Sequence, residues 1–344
     1  MPLNRIKRTF FSVGQALFAV ESVGDRVIVY DCGGQTKQLV TDAIFRKYHE
    51  CPKQDIDALF ISHYDRDHIN GVFVLLGLFR IKVVFLPMVS VLSRFMSAMR
   101  SHFAWDYMNF YADPRAFLLN YGVGAVRYVG QQEASLVDGQ SVIEEEDNRD
   151  LTNVVALRFP EMPDWVYIPY NRKTISSQEE RRFFASLGLP ADASVEDLLN
   201  LWKSKDLNLK KALLKLGAVT VRSINDYSMT LYSGSLHAKN GCLFLGDYNA
   251  AANMNELKVV YRNVWSNITI IQIPHHGSQM NFDLGLIINN ATHIISNKNK
   301  PYGKRDVDPT NVIHEIRDNK KEFCSATFYG DVSCCQHGRC RCHC

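Results

Sequence analysis

The sequence predicts a mixed α/β fold, and three observations predict it. Short β-forming runs recur from Thr9 to Ile295. Segments with helical spacing separate many of them. Several apolar runs end directly in His or Asp, as strands do where an α/β sheet builds a site beyond its carboxyl ends.

Taken in order, Thr9 to Val13, Ala16 to Glu21 and Arg26 to Tyr30 read as strands, broken by Gly14 and by Gly24-Asp25. Asp31-Cys32-Gly33-Gly34 closes the third with turn residues. Gln38 to His49 reads as a helix, Asp57 to Ser62 as a strand, Asn70 to Phe79 as a helix and Ile81 to Leu86 as a strand. Residues 88–121 are helical in pattern. Their aromatic side chains, Phe95, Phe103, Trp105, Tyr107, Phe110 and Tyr111, read as core, with a substrate-cleft wall as the alternative. Val126 to Val129, Asn153 to Phe159 and Trp165 to Ile168 return to strand.

Residues 172–217 then interrupt the strands as a helical insertion. Ser177-x-x-Glu180 is a candidate capping box ahead of Arg181 to Leu187, and Ser194 to Lys203 and Leu207 to Leu216 keep helical spacing. The lysines at 203, 205, 210, 211 and 215 read as a solvated helix face. Strands resume at Met229 to Tyr232, Cys242 to Leu245, Ile268 to Ile273 and His293 to Ile295. Residues 1–330 are read as one domain, followed by a Cys-rich tail at 331–344.

A net charge of +3 over 344 residues gives no global electrostatic footprint for nucleic acid. No run of about 18 apolar residues is present, so a membrane span is not expected. The basic N-terminus alternates like a strand and lacks signal-peptide features, so a cytoplasmic protein is expected. Of nine cysteines, six crowd into the end of the chain: Cys324, Cys334, Cys335, Cys340, Cys342 and Cys344. In a cytoplasmic protein this argues against a disulfide framework. Their spacing is too tight for an ordinary zinc ribbon, and a loosely packed tail is expected.

The densest chemistry lies in His63-Tyr64-Asp65-Arg66-Asp67-His68, which follows the apolar run Ala58 to Ile61. Four potential metal ligands fall within six positions where a strand gives way to a loop. Imidazole and carboxylate bind Zn²⁺ or Mn²⁺, and such an ion lowers the pKa of bound water towards neutrality. Three further runs end similarly: Leu243 to Gly246 before Asp247, Ile270 to Pro274 before His275-His276-Gly277-Ser278, and His293 to Ser296 before a Lys- and Asn-rich loop that reaches Asp308-Pro309. Neighbouring strands lie about 4.8 Å apart, so these ends can converge on one or two ions.

In this order of motifs, from SVGQALFAVE and VIVYDCGG through SHYDRDHINGV, NDYSMTLY, CLFLGDYN and IPHHGS, the chain resembles the metallo-β-lactamase-fold hydrolases. It is most similar to the subgroup that holds the extracellular metal domain of the bacterial competence DNA-uptake channel. The resemblance covers about 1–86 and 221–330. It implies an αββα sandwich of two mixed β-sheets with metals at one edge. It also implies that His63 and Asp65 serve one metal, Asp67 and His68 the other, with Asp247 as bridge. Two positions depart from the family: Asn225-Asp226-Tyr227-Ser228 stands where a further His often lies, and Asp308-Pro309 stands where the last His is usual.

The expected ligands are therefore His63, Asp65, Asp67, His68, Asp247, His275 and Asp308, for two divalent ions, Zn²⁺ or Mn²⁺. Asp67, Asp247, His275 and His276 are the expected catalytic group, and His276, Ser278 and Lys304 the expected substrate contacts. The chemistry expected is two-metal phosphodiester hydrolysis, with a nucleic acid or a small phosphodiester as substrate. Lys298, Lys300, Lys304 and Arg305 supply positive charge for a polynucleotide backbone. Alternatives are hydrolysis of a small ester, lactone or cyclic nucleotide, with the helical insertion as a lid, and a metal-poor binding module. In the last case the insertion and the tail would dock a protein partner.

Overall fold

A computed structural model describes residues 6–50, 55–101, 105–172, 177–220, 228–297, 307–319, 321–326, 331–335 and 340–342. Two mixed sheets lie face to face. The first runs in the order β16-β15-β1-β2-β3-β4-β5-β6. These strands are Cys340–Cys342, Val332–Cys335, Ile6–Phe10, Phe18–Val23, Arg26–Cys32, Ile56–Phe60, Ile81–Pro87 and Ala125–Val129. The second runs β14-β13-β12-β11-β10-β9-β8-β7, namely Phe323–Ala326, Thr292–Ser296, Ile268–Gln272, Gly241–Phe244, Thr230–Ser235, Trp165–Tyr170, Ala156–Arg158 and Gln140–Val142. β3 to β6 are parallel, and so are β11 to β14; antiparallel pairs flank them.

Alternation along these strands divides the buried side chains into two sets. Phe10, Tyr30, Phe60, Phe85, Trp165, Leu231, Phe244 and Ile270 fill the space between the sheets. The opposite face of the first sheet is covered by α1 (Lys37–Glu50), α3 (Val72–Leu78), α5 (Trp105–Ala112) and α6 (Pro114–Asn120), through Val40, Leu75, Phe110 and Phe117. α10 (Ala250–Val260) and α11 (Thr310–Asp318) cover the second through Leu257, Val312 and Ile316. The layers are thus helix, sheet, sheet, helix, as expected. Among the described residues no helix is long and apolar enough to cross a membrane.

The insertion is helical, as its spacing predicts: α7 (Ser177–Ser186), α8 (Val195–Lys203) and α9 (Leu207–Thr220). Phe183, Phe184, Val195, Leu198 and Leu209 pack with Leu92 and Phe95 of α4 (Val91–Arg100) into a separate apolar cluster. A capping box is formed by Ser194 and Asp197 at the start of α8. The Ser177 side chain of the expected box lies outside what is described, and Glu180 accepts a hydrogen bond from the Leu92 N–H at 2.9 Å. The five lysines of the insertion are exposed, as a solvated face requires.

The tail departs from expectation. β15 pairs antiparallel with β1 and carries β16 on its other side, and Val332 and Cys334 are buried. An unpaired β1 would leave a row of backbone donors and acceptors open, and the tail strand satisfies them. Cys334 is disulfide-bonded, contrary to the reading from composition. The aromatic residues of 88–121 are core, as read: Phe95, Tyr107, Phe110 and Tyr111 are all buried, while Phe103 and the Trp105 side chain lie outside what is described.

Candidate metal centre

The loop 63–68 leaves β4 at the edge where β3 and β11 also end. Its close approach to the β3 turn requires glycine at 33: a Cβ there would lie 1.8 Å from the Asp67 carbonyl oxygen. The short helix α2 (Arg66–Ile69) then turns His68 into the interior. Aromatic hydroxyls brace the loop from behind. Tyr111 donates to the Tyr64 carbonyl at 3.0 Å, Tyr107 to Asn70 at 2.8 Å, and Tyr64 to Pro87 at 2.9 Å.

Asp247 arrives on the turn after β11. Gly246 precedes it at φ +54°, a left-handed backbone, and a Cβ there would meet Ser228 Oγ at 2.3 Å. Gln272 fixes this turn: its Oε1 accepts from the N–H of Leu245 and of Gly246, both at 2.7 Å. Ser228 Oγ accepts from the Asp247 N–H at 2.9 Å, and Asn281 Nδ2 donates to the Asp247 carbonyl at 3.1 Å.

His275 and His276 sit on a 3-10 turn after β12 with φ of +47° and +56°. Two successive non-glycine residues in the left-handed region are strained, and such strain clusters at functional sites. The turn is pinned by His275 N–H to the Gly246 carbonyl at 2.9 Å and by Asn297 Nδ2 to the His276 carbonyl at 2.7 Å.

Four imidazoles converge on one carboxylate. His63 Nε2 lies 3.7 Å and His275 Nε2 3.8 Å from Asp247 Oδ2; His68 Nε2 lies 3.2 Å and His276 Nε2 3.9 Å from Oδ1. Asp67 Oδ2 joins the second pair, 3.3 Å from His276 Nε2 and 3.8 Å from His68 Nε2. Every ring is held by its other nitrogen. Nδ1 of His63 meets Ser62 Oγ at 2.9 Å, that of His68 meets Asp31 Oδ2 at 2.8 Å, that of His275 meets Asn281 Oδ1 at 3.0 Å, and that of His276 meets the Ser296 carbonyl at 3.1 Å. With Nδ1 as the donor, each ring turns its Nε2 to the centre as the nitrogen that a cation would take.

The fit to a cation rests on buried atoms that lack partners. His63 Nε2, His68 Nε2 and Asp247 Oδ1 are buried without a hydrogen bond. Such atoms are rare in folded proteins, and acceptor lone pairs facing a carboxylate are satisfied together by a divalent ion. Two groups of ligand atoms, each within 4.8 Å of one another, mark the place: His63, His68 and Asp247, and Asp67, His68 and His276.

The charges are strongly coupled. Burial opposes a charged His68, yet Asp247, Asp31 and Asp67 outweigh it and raise the ring well above the ordinary histidine value. Burial and the neighbouring His68 push His63 down. Burial also opposes an ionised Asp247, but His275 and His68 hold it well below the usual carboxylate value, and Asp67 is lowered chiefly by His68 against the same opposition.

Some expected residues lie apart from these two groups. Asp65 sends Oδ1 to Arg100 Nη2 at 2.6 Å and to Ser97 Oγ at 2.9 Å, with Oδ2 3.9 Å from His63 Nε2. Asp308 is exposed, and its Oδ1 accepts from the backbone N–H and the hydroxyl of Thr310 at 2.9 and 2.5 Å. It thus satisfies the open start of α11 instead of facing the cluster. Ser278 is mostly buried one residue beyond the His275–Gly277 turn, and His275 itself belongs to neither group, its Nε2 lying 3.8 Å from Asp247 Oδ2. Lys298, Lys300, Lys304 and Arg305, and Asn225 to Tyr227, lie outside the described residues.

The sequence reading missed the supports. Asp31 was read as a turn residue, yet it is fully buried and accepts from Ser62 N–H and Oγ at 2.6 and 2.7 Å besides holding His68. Its signal was a carboxylate ending an apolar strand, the same pattern that marked Asp247. Gln272, Asn281 and Ser228 had no comparable signal.

A family model described as "Metallo-beta-lactamase superfamily" matches residues 14–87. No curated protein matches the chain in sequence. Among solved structures, the chain is similar to the metallo-β-lactamase fold protein YhfI from Bacillus subtilis, at 8% identity over 96% of this chain and 100% of that one, with a TM-score of 0.43. It is also similar to a diphosphatase of the PhnP family, at 10% identity over 94% and 88% and a TM-score of 0.38. The short form of human tRNase Z follows at 13% identity, 78% and 77% coverage and a TM-score of 0.31. The family match covers the first part of the first sheet and the loop 63–68, and the chain as a whole forms two mixed sheets with outer helices and a His/Asp cluster at one edge.

Proposed function

We propose that this chain is a metal-dependent phosphodiesterase, acting on a nucleic acid or a smaller phosphodiester. The observation that carries the reading is the aim of four imidazole Nε2 atoms at Asp247, with His63 Nε2, His68 Nε2 and Asp247 Oδ1 buried without a hydrogen bond. His63 and His275 on one side of Asp247, and Asp67, His68 and His276 on the other, are the residues that would hold two divalent ions, with Asp247 between them. Bound there, such ions supply Lewis acidity and a nucleophile at neutral pH.

The chain's own groups do the positioning. Asp31 and the Ser296 carbonyl hold Nδ1 of His68 and His276, which fixes the rings with Nε2 turned towards Asp247. Ser228 and Gln272 keep the Asp247 turn from drifting. Three carboxylates, Asp65, Asp67 and Asp247, make the donor set rich in oxygen, which suits Mn²⁺ while the imidazoles keep Zn²⁺ competitive. Arg66, exposed beside Asp67, adds positive charge where a phosphoryl group would approach.

The test is incubation of the metal-loaded chain with single- and double-stranded DNA and RNA and with bis(p-nitrophenyl) phosphate. Cleavage by wild type and its loss in Asp67→Ala support the reading. Survival of every substrate, with both proteins behaving alike, rejects it.

A further inference from the structure

Asp65 stands where the motif implies a metal ligand, but a cation of the chain itself already holds it. Arg100 Nη2 lies 2.6 Å from Asp65 Oδ1 and 3.1 Å from Ser97 Oγ, and Ser97 Oγ lies 2.9 Å from the same carboxylate oxygen. The contact is partly sheltered, with Asp65 17% and Arg100 35% exposed.

Arg100 has little freedom to leave. It ends α4, whose start is capped by Ser90 Oγ accepting from the Ser93 N–H at 3.1 Å. Glu180 of the insertion takes the Leu92 N–H, Arg94 donates to the Ala112 carbonyl at 2.6 Å, and Leu92 and Phe95 are packed against α8. The insertion therefore buttresses the helix that delivers the guanidinium.

The two faces of Asp247 are consequently unequal. On the Oδ1 face, no Lys or Arg among the described residues pairs with Asp67, and the His68 and His276 rings are fixed by Asp31 and Ser296. On the Oδ2 face, His63 and His275 turn their Nε2 atoms towards Asp247, but Asp65, the further carboxylate beside His63, is paired with Arg100. A positive group hydrogen-bonded to a ligand carboxylate weakens that ligand and repels a second cation beside it.

We propose that Arg100 is a positioning residue that sets the order of metal loading. The Asp67–His68–His276 face fills first. The His63–His275 face fills only as Asp65 exchanges its contact with Arg100 for a second divalent ion. This rests on the reading of the cluster as a metal centre and adds an order of occupancy to it.

The experiment is calorimetric titration of the metal-free full chain with Mn²⁺ alone, whose preference for oxygen donors keeps it off the Cys-rich tail. Wild type takes up two ions in separate steps. Arg100→Gln tightens the second step about fivefold or more and leaves the first unchanged. Asp65→Asn loses the second step and keeps the first, which also shows that this variant is folded. A second step unmoved by Arg100→Gln, one that survives Asp65→Asn, or two equal steps in wild type overturns the proposal while leaving the metal centre in place. No uptake by wild type removes the proposal and counts equally against the centre as an oxygen-rich Mn²⁺ site.

Discussion

The two faces of Asp247 hold similar donors but are built differently. His68 and His276 are tied to the buried frame: His68 is wholly enclosed, and its ring is clamped by a carboxylate that itself takes two hydrogen bonds from Ser62. His63, Asp65 and His275 are 7%, 17% and 27% exposed, against 37% for Asp67, so the faces differ less in depth than in Asp65, which is shared with Arg100. A ligand set is therefore not a metal site until its supports are counted. The same residue types give a prepared site where a second layer of buried groups fixes them, and a conditional one where a surface cation competes.

The strongest way to break the comparison is to remove what the faces share. Asp247→Asn should abolish uptake of both ions and lower phosphodiester hydrolysis about a thousandfold, measured by metal analysis and initial rates. Loss of one ion alone would mean that the faces do not share this carboxylate. Asp31→Asn sharpens it further. It should weaken binding on the Oδ1 face about 10- to 100-fold, read by competition with a chelator, with the other face little changed.

A pH series separates the faces by charge. The folded, metal-free His68 binds its proton more tightly than an ordinary histidine. Its contribution to stability is therefore complete below the unfolded value and is lost as pH rises through the folded one. Metal must displace that proton, so the rise in Tm on adding metal should grow with increasing pH. A constant or shrinking increment would show that His68 does not ligate. The smallest effect belongs to Asp308. Asp308→Ala should leave metal content unchanged and cost under about 1 kcal/mol in a denaturant titration, because its carboxylate only caps α11.

Much of the centre was legible because its ligands end apolar strands. Phe60-Ile61-Ser62 before His63 and Leu243 to Gly246 before Asp247 announce both a strand and what lies beyond it. What stayed hidden acts at a distance in sequence. Asp31 reaches His68 across 37 positions, and Gln272 reaches Gly246 across 26. β1 begins earlier than its pattern suggests because Arg8 looks like a surface residue. It is buried, paired to Glu21 at 2.5 Å and bonded to the Ser233 carbonyl of the facing sheet. β7, Gln-Ser-Val at a sheet edge, is too short and too exposed to show alternation. Asp308 stands where the resemblance places a last His, but the Thr310 N–H at the start of α11 takes its carboxylate.

Anomalous scattering from crystals grown with Zn²⁺ or Mn²⁺ tests the central claim most directly. Two peaks should flank the Asp247 carboxylate, one within about 2.0–2.2 Å of His68 or His276 Nε2 and the other at the same distance from His63 or His275. A map with no peak at coordination distance from Asp247 or any of these rings would contradict the account.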